Sequence, residues 1–192
     1  MNENEKLNEQ NENGTLNPQD SLMKRHKKFF QLLAGVQLIG ILLAVISVLF
    51  VPFASYNPTV LDSTKVSLKL FDLAEEKSFP VFGLFLSCTP LVLDMFLVKQ
   101  YNQPNWKENS KLYLRLAIVC FICFIIGYIM ITWSIDDYYS VNGREFALES
   151  EAGNWMFLIG GVLFAAMPLI ETILVKLVVE GKYTEDQLLG KF

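Results

Sequence analysis

Four long apolar runs constrain this chain more than any other feature of its sequence. Apart from a lysine at the end of two of them, each run carries a single charged residue or none. Each approaches the roughly 20 residues that an α-helix needs to cross about 30 Å of hydrocarbon. The runs therefore predict an all-α membrane protein, a four-transmembrane-helix bundle, with these spans: about 29–53, 79–99, 112–135 and 154–176.

The distribution of basic residues predicts how the bundle is oriented. Lys and Arg precede the first run, surround the turn between the second and third, and follow the fourth, while the outer loops 54–78 and 136–153 hold few. By the positive-inside rule, we expect a multi-pass protein of the cell membrane with both termini cytoplasmic. Four basic residues before the first run are expected to contact the lipid headgroups of the bilayer: Lys24, Arg25, Lys27 and Lys28.

The two ends of the chain read as cytosolic tails. Residues 1–28 are dominated by Asn, Glu and Gln before their basic cluster, and so little apolar surface predicts a disordered polar tail. Residues 29–177 form the transmembrane domain, and residues 178–192 a short tail in which 184–189 favour a short amphipathic helix.

The first outer loop contains a β-strand pattern. Polar and apolar residues alternate strictly over 64–70, with Val66, Leu68 and Leu70 on one face. A lone strand leaves its backbone groups unpaired, so we expect it to pair with residues 54–57 or with the second outer loop. The fold class therefore includes a small extracellular β-element.

Two similar stretches place an acid late in the second and the fourth run. Asp94 and Glu171 are each followed by two residues and then Leu-Val-Lys, and aligning them also aligns Gly83 with Gly160. The match predicts either a parallel repeat about the membrane normal or a chance similarity of helix ends. Pro90 and Pro168 lie close to these acids and predict helix kinks, since proline removes a backbone hydrogen bond.

The charges inside the runs predict one cluster. Asp94, Glu171 and Arg115 fall at similar depth, each acid roughly 7 Å above the inner boundary. In one interpretation Arg115 neutralises an acid and fixes helix order, with Gln31 or Gln37 as polar partners. In the other, Asp94 and Glu171 form a proton or cation site open to the cytosol.

No motif for catalysis or metal binding is present. His26 is the only histidine, and P-loop, G-x-S-x-G and H-E-x-x-H patterns are missing. The acids of loop 136–153 lack calcium-loop spacing and predict a solvated acidic face. We therefore expect no enzyme, no metal, no cofactor and no nucleic-acid partner.

The topological plan, four spans with both ends inside and a strand-bearing first outer loop, resembles the claudin-like tetraspan architecture over residues 29–177. The claudin loop signature, a Trp with Gly-Leu-Trp and paired Cys, is absent because the first outer loop has neither residue type. The resemblance therefore implies topology and transfers neither residue roles nor a junctional function.

The expected function follows from a structured outer loop in a chain without catalytic motifs. We expect a non-enzymatic accessory, sensor or immunity-type protein that binds the lipid bilayer and another membrane or secreted protein, with homo-oligomers left open. The alternative is a small proton- or cation-coupled transporter or channel that uses Asp94 and Glu171.

Overall fold

The computed structural model describes residues 21–58 and 64–189, and four of its helices are long and apolar enough to cross a membrane. The helices of this part are α1 (Leu22–Arg25), α2 (Lys27–Phe50), α3 (Leu70–Glu76), α4 (Phe79–Ser87), α5 (Thr89–Tyr101), α6 (Ser110–Ile135), α7 (Ala152–Val179) and α8 (Glu185–Leu189). The membrane-length helices are α2, α4 continued by α5, α6, and α7. The four apolar runs thus fold as helices, as the sequence predicts.

Two glycine contacts, here called seams, bring these helices together in pairs. A Cβ placed on Gly40 would lie 2.6 Å from the Gly160 carbonyl oxygen, so α2 and α7 touch through their backbones. A Cβ on Gly83 would lie 2.5 Å from the Gly127 carbonyl oxygen, which brings α4 against α6. Small residues permit this approach. Both seams are contacts of one glycine with another. In the second seam α6 corresponds to α2 of the first, and α4 corresponds to α7.

A buried phenylalanine joins the two pairs of helices. The ring of Phe124, 1% exposed, lies against Gly161 and so fills the contact between α6 and α7. It also meets the ring of Phe164 edge to face at 5.8 Å. Among the described residues, no comparable contact joins α2 to α4 or α5. The helices therefore pack tightly on every side but one.

Short strands cover one end of the helices, here called the sheet end. They are β1 (Ala54–Tyr56), β2 (Val66–Leu68), β3 (Tyr138–Val141), β4 (Arg144–Ala147) and β5 (Glu149–Ser150). One sheet has the order β2-β1-β5 and is antiparallel throughout, while β3 and β4 form a hairpin that turns at Asn142 and Gly143, both with positive φ. Such turns suit the twist of two antiparallel strands.

The predicted pairing of the first-loop strand with residues 54–57 is confirmed, because β2 pairs with β1. The second outer loop is not a partner of β2, since its strand β5 pairs with the other edge of β1. The strand is shorter than the alternating pattern, because Leu70 already starts α3. Leu68 and Leu70 are buried, whereas Val66 is 37% exposed.

The opposite end of the helices, here called the tail end, holds a second apolar core. Leu22, Trp106 and Leu189 are each at most 2% exposed and pack together with Leu97 and Val175. Residues 21–28 therefore differ from the predicted disordered tail, since α1 folds onto this core and α2 begins within the basic cluster. Residues 1–20 and 190–192 of the predicted tails lie outside the described residues.

Candidate functional site

Three polar side chains from three helices meet in the half of the protein nearer the tail end. Gln37 of α2 and Glu171 of α7 are 6% and 7% exposed, and Asp94 of α5 is half-buried. The Asp94 carboxyl interacts electrostatically with that of Glu171 and lies beside the Gln37 amide. We call these three residues the acidic cluster.

The seams explain why the two acids converge. Asp94 lies eleven residues after Gly83, and Glu171 eleven residues after Gly160. Because eleven residues make just over three helical turns, each acid lies close to the face that carries its seam glycine. The same spacing in both helices therefore directs both carboxyls to the interior at one depth.

Arg115 does not join the acidic cluster, which corrects the predicted ion-paired clasp. Its side chain is exposed, and it takes part in none of the salt bridges found within residues 21–58 and 64–189. The buried face of α6 runs through Ala117 and Phe124. Two residues before Ala117 correspond to about 200° of rotation around the helix, so Arg115 points away from the interior.

The acidic cluster consequently lacks a basic partner in the described part of the chain. Neither Asp94 nor Glu171 takes part in a salt bridge there. The Nε2 atom of Gln37 is also buried without a hydrogen-bond partner among these residues. Buried polar groups are normally paired, and acids within membrane-length helices mark functional sites by default.

The two predicted kink sites behave differently. The helix is divided at Cys88, just before Pro90, and the Thr89 Oγ1 hydroxyl donates a 2.8 Å hydrogen bond to the Leu86 carbonyl. That carbonyl is the one that loses its usual backbone donor at Pro90. Helix α7, in contrast, continues through Pro168.

The remaining predicted polar residues lie outside the acidic cluster. Gln31 is exposed, as are Lys24, Lys27 and Lys28. Arg25 is partly buried because its guanidinium forms a 2.6 Å salt bridge with Glu185 of α8 and lies 5.9 Å from the centre of the Trp106 ring. Arg25 therefore ties the two ends of the described chain together, a role that the headgroup prediction did not include.

Tyr101 is a residue of this region that sequence reasoning missed. It is 2% exposed and interacts electrostatically with both acids. The spacing in the sequence indicates this position, because Tyr101 follows Asp94 by seven residues and so lies on the same face of its helix. Its ring closes the acidic cluster toward the tail end and lies 5.7 Å from the ring of Phe30, centre to centre.

At the sheet end, charged residues join the two loops. Lys77 and Asp137 form a 3.1 Å salt bridge, and the Ser55 hydroxyl donates a 2.5 Å hydrogen bond to Glu151. The backbone N–H of Ser140 donates to Glu76 at 3.1 Å. The expected solvated acidic face is therefore only partly correct, since these acids hold the loops together.

Several large apolar side chains of the sheet end nevertheless face outward. Tyr138 is 59% exposed and Phe71 is 51% exposed, although their neighbours Tyr139 and Leu70 are buried. The stack of Tyr56 on Phe146, with ring centres 5.0 Å apart, fixes the hairpin on the three-stranded sheet. The sheet end is thus an ordered surface with exposed aromatic residues.

The acidic cluster has the groups needed to hold a positive charge. Two carboxyl groups and an amide can hold a proton or a cation, or receive a basic group from another molecule. No three His, Cys, Asp or Glu side chains of residues 21–58 and 64–189 lie close enough together to hold a metal ion.

The fold and the site fit a membrane-embedded helical protein with small sheets. No protein-family model, curated protein or solved structure matches the chain.

Proposed function

We propose that the chain is a multi-pass protein of the cell membrane that acts without catalysis, as an accessory subunit, sensor or immunity-type protein for another membrane or secreted protein. The sheet end faces outward and the tail end faces the cytosol. This orientation is supported by the basic residues, which concentrate around α1, the turn before α6 and the end of α7.

The observation that carries this proposal is the ordered sheet end. Five short strands and α3 are fixed to one another by salt bridges and ring stacks, yet they leave Phe71 and Tyr138 exposed. Aromatic residues are enriched where proteins bind each other, because a rigid ring buries a large area at low entropic cost. A rigid surface of this kind is suited to binding a partner.

Cross-linking in living cells tests partner binding. A photoreactive amino acid at Tyr138 should give an adduct of discrete mass, whereas the same group at Ile122, exposed at mid-length on α6, should give none of that mass. The adduct should disappear in Phe71→Asp. Repeated failure to form an adduct, together with purification of this chain alone in mild detergent, would contradict the proposal.

Cysteine labelling tests the orientation. In a background in which Cys88, Cys120 and Cys123 are replaced by Ser, single cysteines are placed at exposed positions of either end, Ser140→Cys and Asn102→Cys. A membrane-impermeant maleimide should label the first in intact cells and the second only after permeabilisation. The reverse pattern would invert the topology.

A transporter or channel is the second candidate, and the lack of a basic partner for Asp94 and Glu171 within the described residues favours it. Toward the sheet end, however, the interior is mostly apolar, with Phe124, Phe157 and Phe164 buried there beside a few polar side chains such as Ser47 and Asn154. This composition disfavours an ion path through one copy. Flux in proteoliposomes tests this candidate: Asp94→Asn and Glu171→Gln should abolish a pH-dependent flux that Glu180→Gln, near the end of α7, leaves intact. Absence of flux in the wild type would eliminate it.

A further inference from the structure

A cleft opens between α2 and α4–α5, the one side on which the membrane-length helices do not pack tightly. It holds a half-open pocket of about 230 Å³ whose walls are apolar. Its lining residues come from α2, from α4 and α5, and from α7, and those that matter below are Ile41, Ala44, Val45, Ser87, Cys88 and Leu91.

The cleft marks a difference between the first half of the membrane-length helices, α2 with α4 and α5, and the second half, α6 with α7. When the glycines of the two seams are matched, Gln37 of the first half corresponds to Phe124 of the second, and Leu84 corresponds to Gly161. In that other half the Phe124 ring fills the contact between its helices. In the first half no aromatic ring takes this place, so the corresponding space stays open and Leu84 lines it.

The acidic cluster lies at the end of the cleft nearer the tail end. Gln37 precedes Ile41 by four residues, and Asp94 follows Leu91 by three, spacings that keep each polar residue on the helix face that lines the cleft. The lining residues of the cleft on α2 run from Ile41 to Leu49, about 12 Å of helix, and Gln37 lies about one turn beyond them. An occupant that extends one turn past the cleft therefore reaches the level of the acidic cluster.

An occupant that is apolar along its length and positively charged at one level complements both the apolar cleft and the acidic cluster. A lipid acyl chain fills the apolar part but leaves Asp94 and Glu171 without a cation. A helix with one Lys or Arg meets both requirements, and Cys88, a small and exposed lining residue, lets its backbone approach. Acids in membrane segments characteristically pair with basic groups.

We propose that the cleft receives a transmembrane helix of the partner protein, whose Lys or Arg pairs with Asp94 and Glu171. This site rests on the proposed function, because it specifies which part of the partner membrane protein is bound. Gln37, whose amide lies beside the Asp94 carboxyl, donates its Nε2 hydrogens to that carboxylate when it faces the basic side chain.

Association with a designed helix tests the proposal directly. The full chain, labelled at its amino terminus, is reconstituted in phosphatidylcholine vesicles with a labelled Leu/Ala helix of about 20 residues. One peptide carries a Lys about five residues from one end, the depth of Asp94, and the other carries Leu there. Energy transfer should show the Lys peptide binding at least about tenfold more tightly.

Two sets of variants locate the binding. Asp94→Asn combined with Glu171→Gln should remove the preference for the Lys peptide. Val45→Trp, which fills the cleft, should weaken binding about tenfold, while Ile46→Trp, on the next and similarly exposed residue outside the cleft, should not. Circular dichroism and gel filtration confirm that each variant is folded before binding is measured.

Three results would overturn the proposal. These are equal binding of the Lys and Leu peptides, full binding to the doubly neutralised variant, and failure of the Lys peptide to bind while dodecylamine, an amphiphilic amine, does so. The last result assigns the cleft to a lipid-like ligand. Because the peptide assay does not involve the sheet end, each result leaves the cross-linking test at Tyr138 unaffected, and failure of one proposal is distinguishable from failure of the other.

Discussion

Gly40 and Gly160 lie in backbone contact at the crossing of α2 and α7. A Cβ on Gly160 would meet the Gly40 carbonyl oxygen at 2.7 Å and the backbone of Ala44, four residues further on. At the other seam, a Cβ on Gly83 would meet the carbonyl oxygen of Gly127 and, again four residues further on, Ile131. The repeated acid motif of the sequence therefore has a structural counterpart in the packing of the helices.

Replacing Gly40 by Ala should destabilise the protein. The added methyl group must displace the α7 backbone, and overpacking of this kind costs about 1–3 kcal/mol. A Cβ added to Gly35, on the same helix, would meet nothing within 4 Å, so Gly35→Ala should be neutral or stabilising by helix propensity. Thermal unfolding in detergent measures the stability of both variants. Equal shifts of Tm would contradict the direct packing of Gly40 against the α7 backbone.

Removing the Thr89 hydroxyl should weaken the junction of α4 and α5. Thr89→Val keeps the shape of the side chain but leaves the Leu86 carbonyl without its donor, at a cost of about 1 kcal/mol. In Pro90→Ala the new backbone N–H can donate to that carbonyl, so the Thr89 substitution should cost less in this background. A double-mutant cycle on unfolding free energies measures the difference, and strict additivity would show that the two donors do not substitute for each other.

Much of this fold could be predicted from the sequence because its signals are local. Runs of about 20 apolar residues specify membrane-length helices without knowledge of any contact. The period-two pattern over 64–70 predicted the strand that forms at Val66–Leu68, and Pro90 predicted the break near Cys88. Asp94 and Glu171 could be assigned to one depth, since depth depends only on residue number along each helix.

Other features depended on information that depth and periodicity do not contain. The depth of Arg115 predicted a contact with the acids, but the buried face of α6 runs through Ala117 and Phe124, and Arg115 lies on the opposite face. The contact of Leu22 with the core that also holds Leu189 joins residues near opposite ends of the chain. Such a contact depends on tertiary packing, and no local sequence pattern predicts it.

Neutralising Glu185 should release α8 from the tail end. The Arg25–Glu185 salt bridge is mostly shielded from solvent, with 14% and 20% of the side chains exposed, and a hydrogen bond to a charged group is worth about 1.5–3 kcal/mol. In Glu185→Gln, hydrogen exchange in α8 should become several-fold faster. Glu180→Gln, which affects only pairs with the nearby Lys176 and Lys182, is the matched control. Unchanged exchange in α8 would show that its apolar contacts alone hold it.

The hairpin at the sheet end should lose stability in acid through Asp137. Hydrogen bonding from the Tyr138 backbone N–H, then the nearby Lys77 ammonium, lowers the pKa of Asp137 below its usual value. A lowered folded pKa means that the stabilisation is complete above the unfolded value of about 3.9 and is lost as the pH falls through the folded value.

Thermal unfolding from about pH 2 to pH 7 measures this effect. The wild type should be more stable than Asp137→Asn at neutral pH, and the difference should shrink toward zero below about pH 4, where the Asp137 carboxyl becomes protonated. Asp136→Asn, at the adjacent exposed carboxylate outside the Lys77 salt bridge, should show a smaller difference. A difference that stays constant or grows as the pH falls would mean that Asp137 does not stabilise the hairpin through its charge.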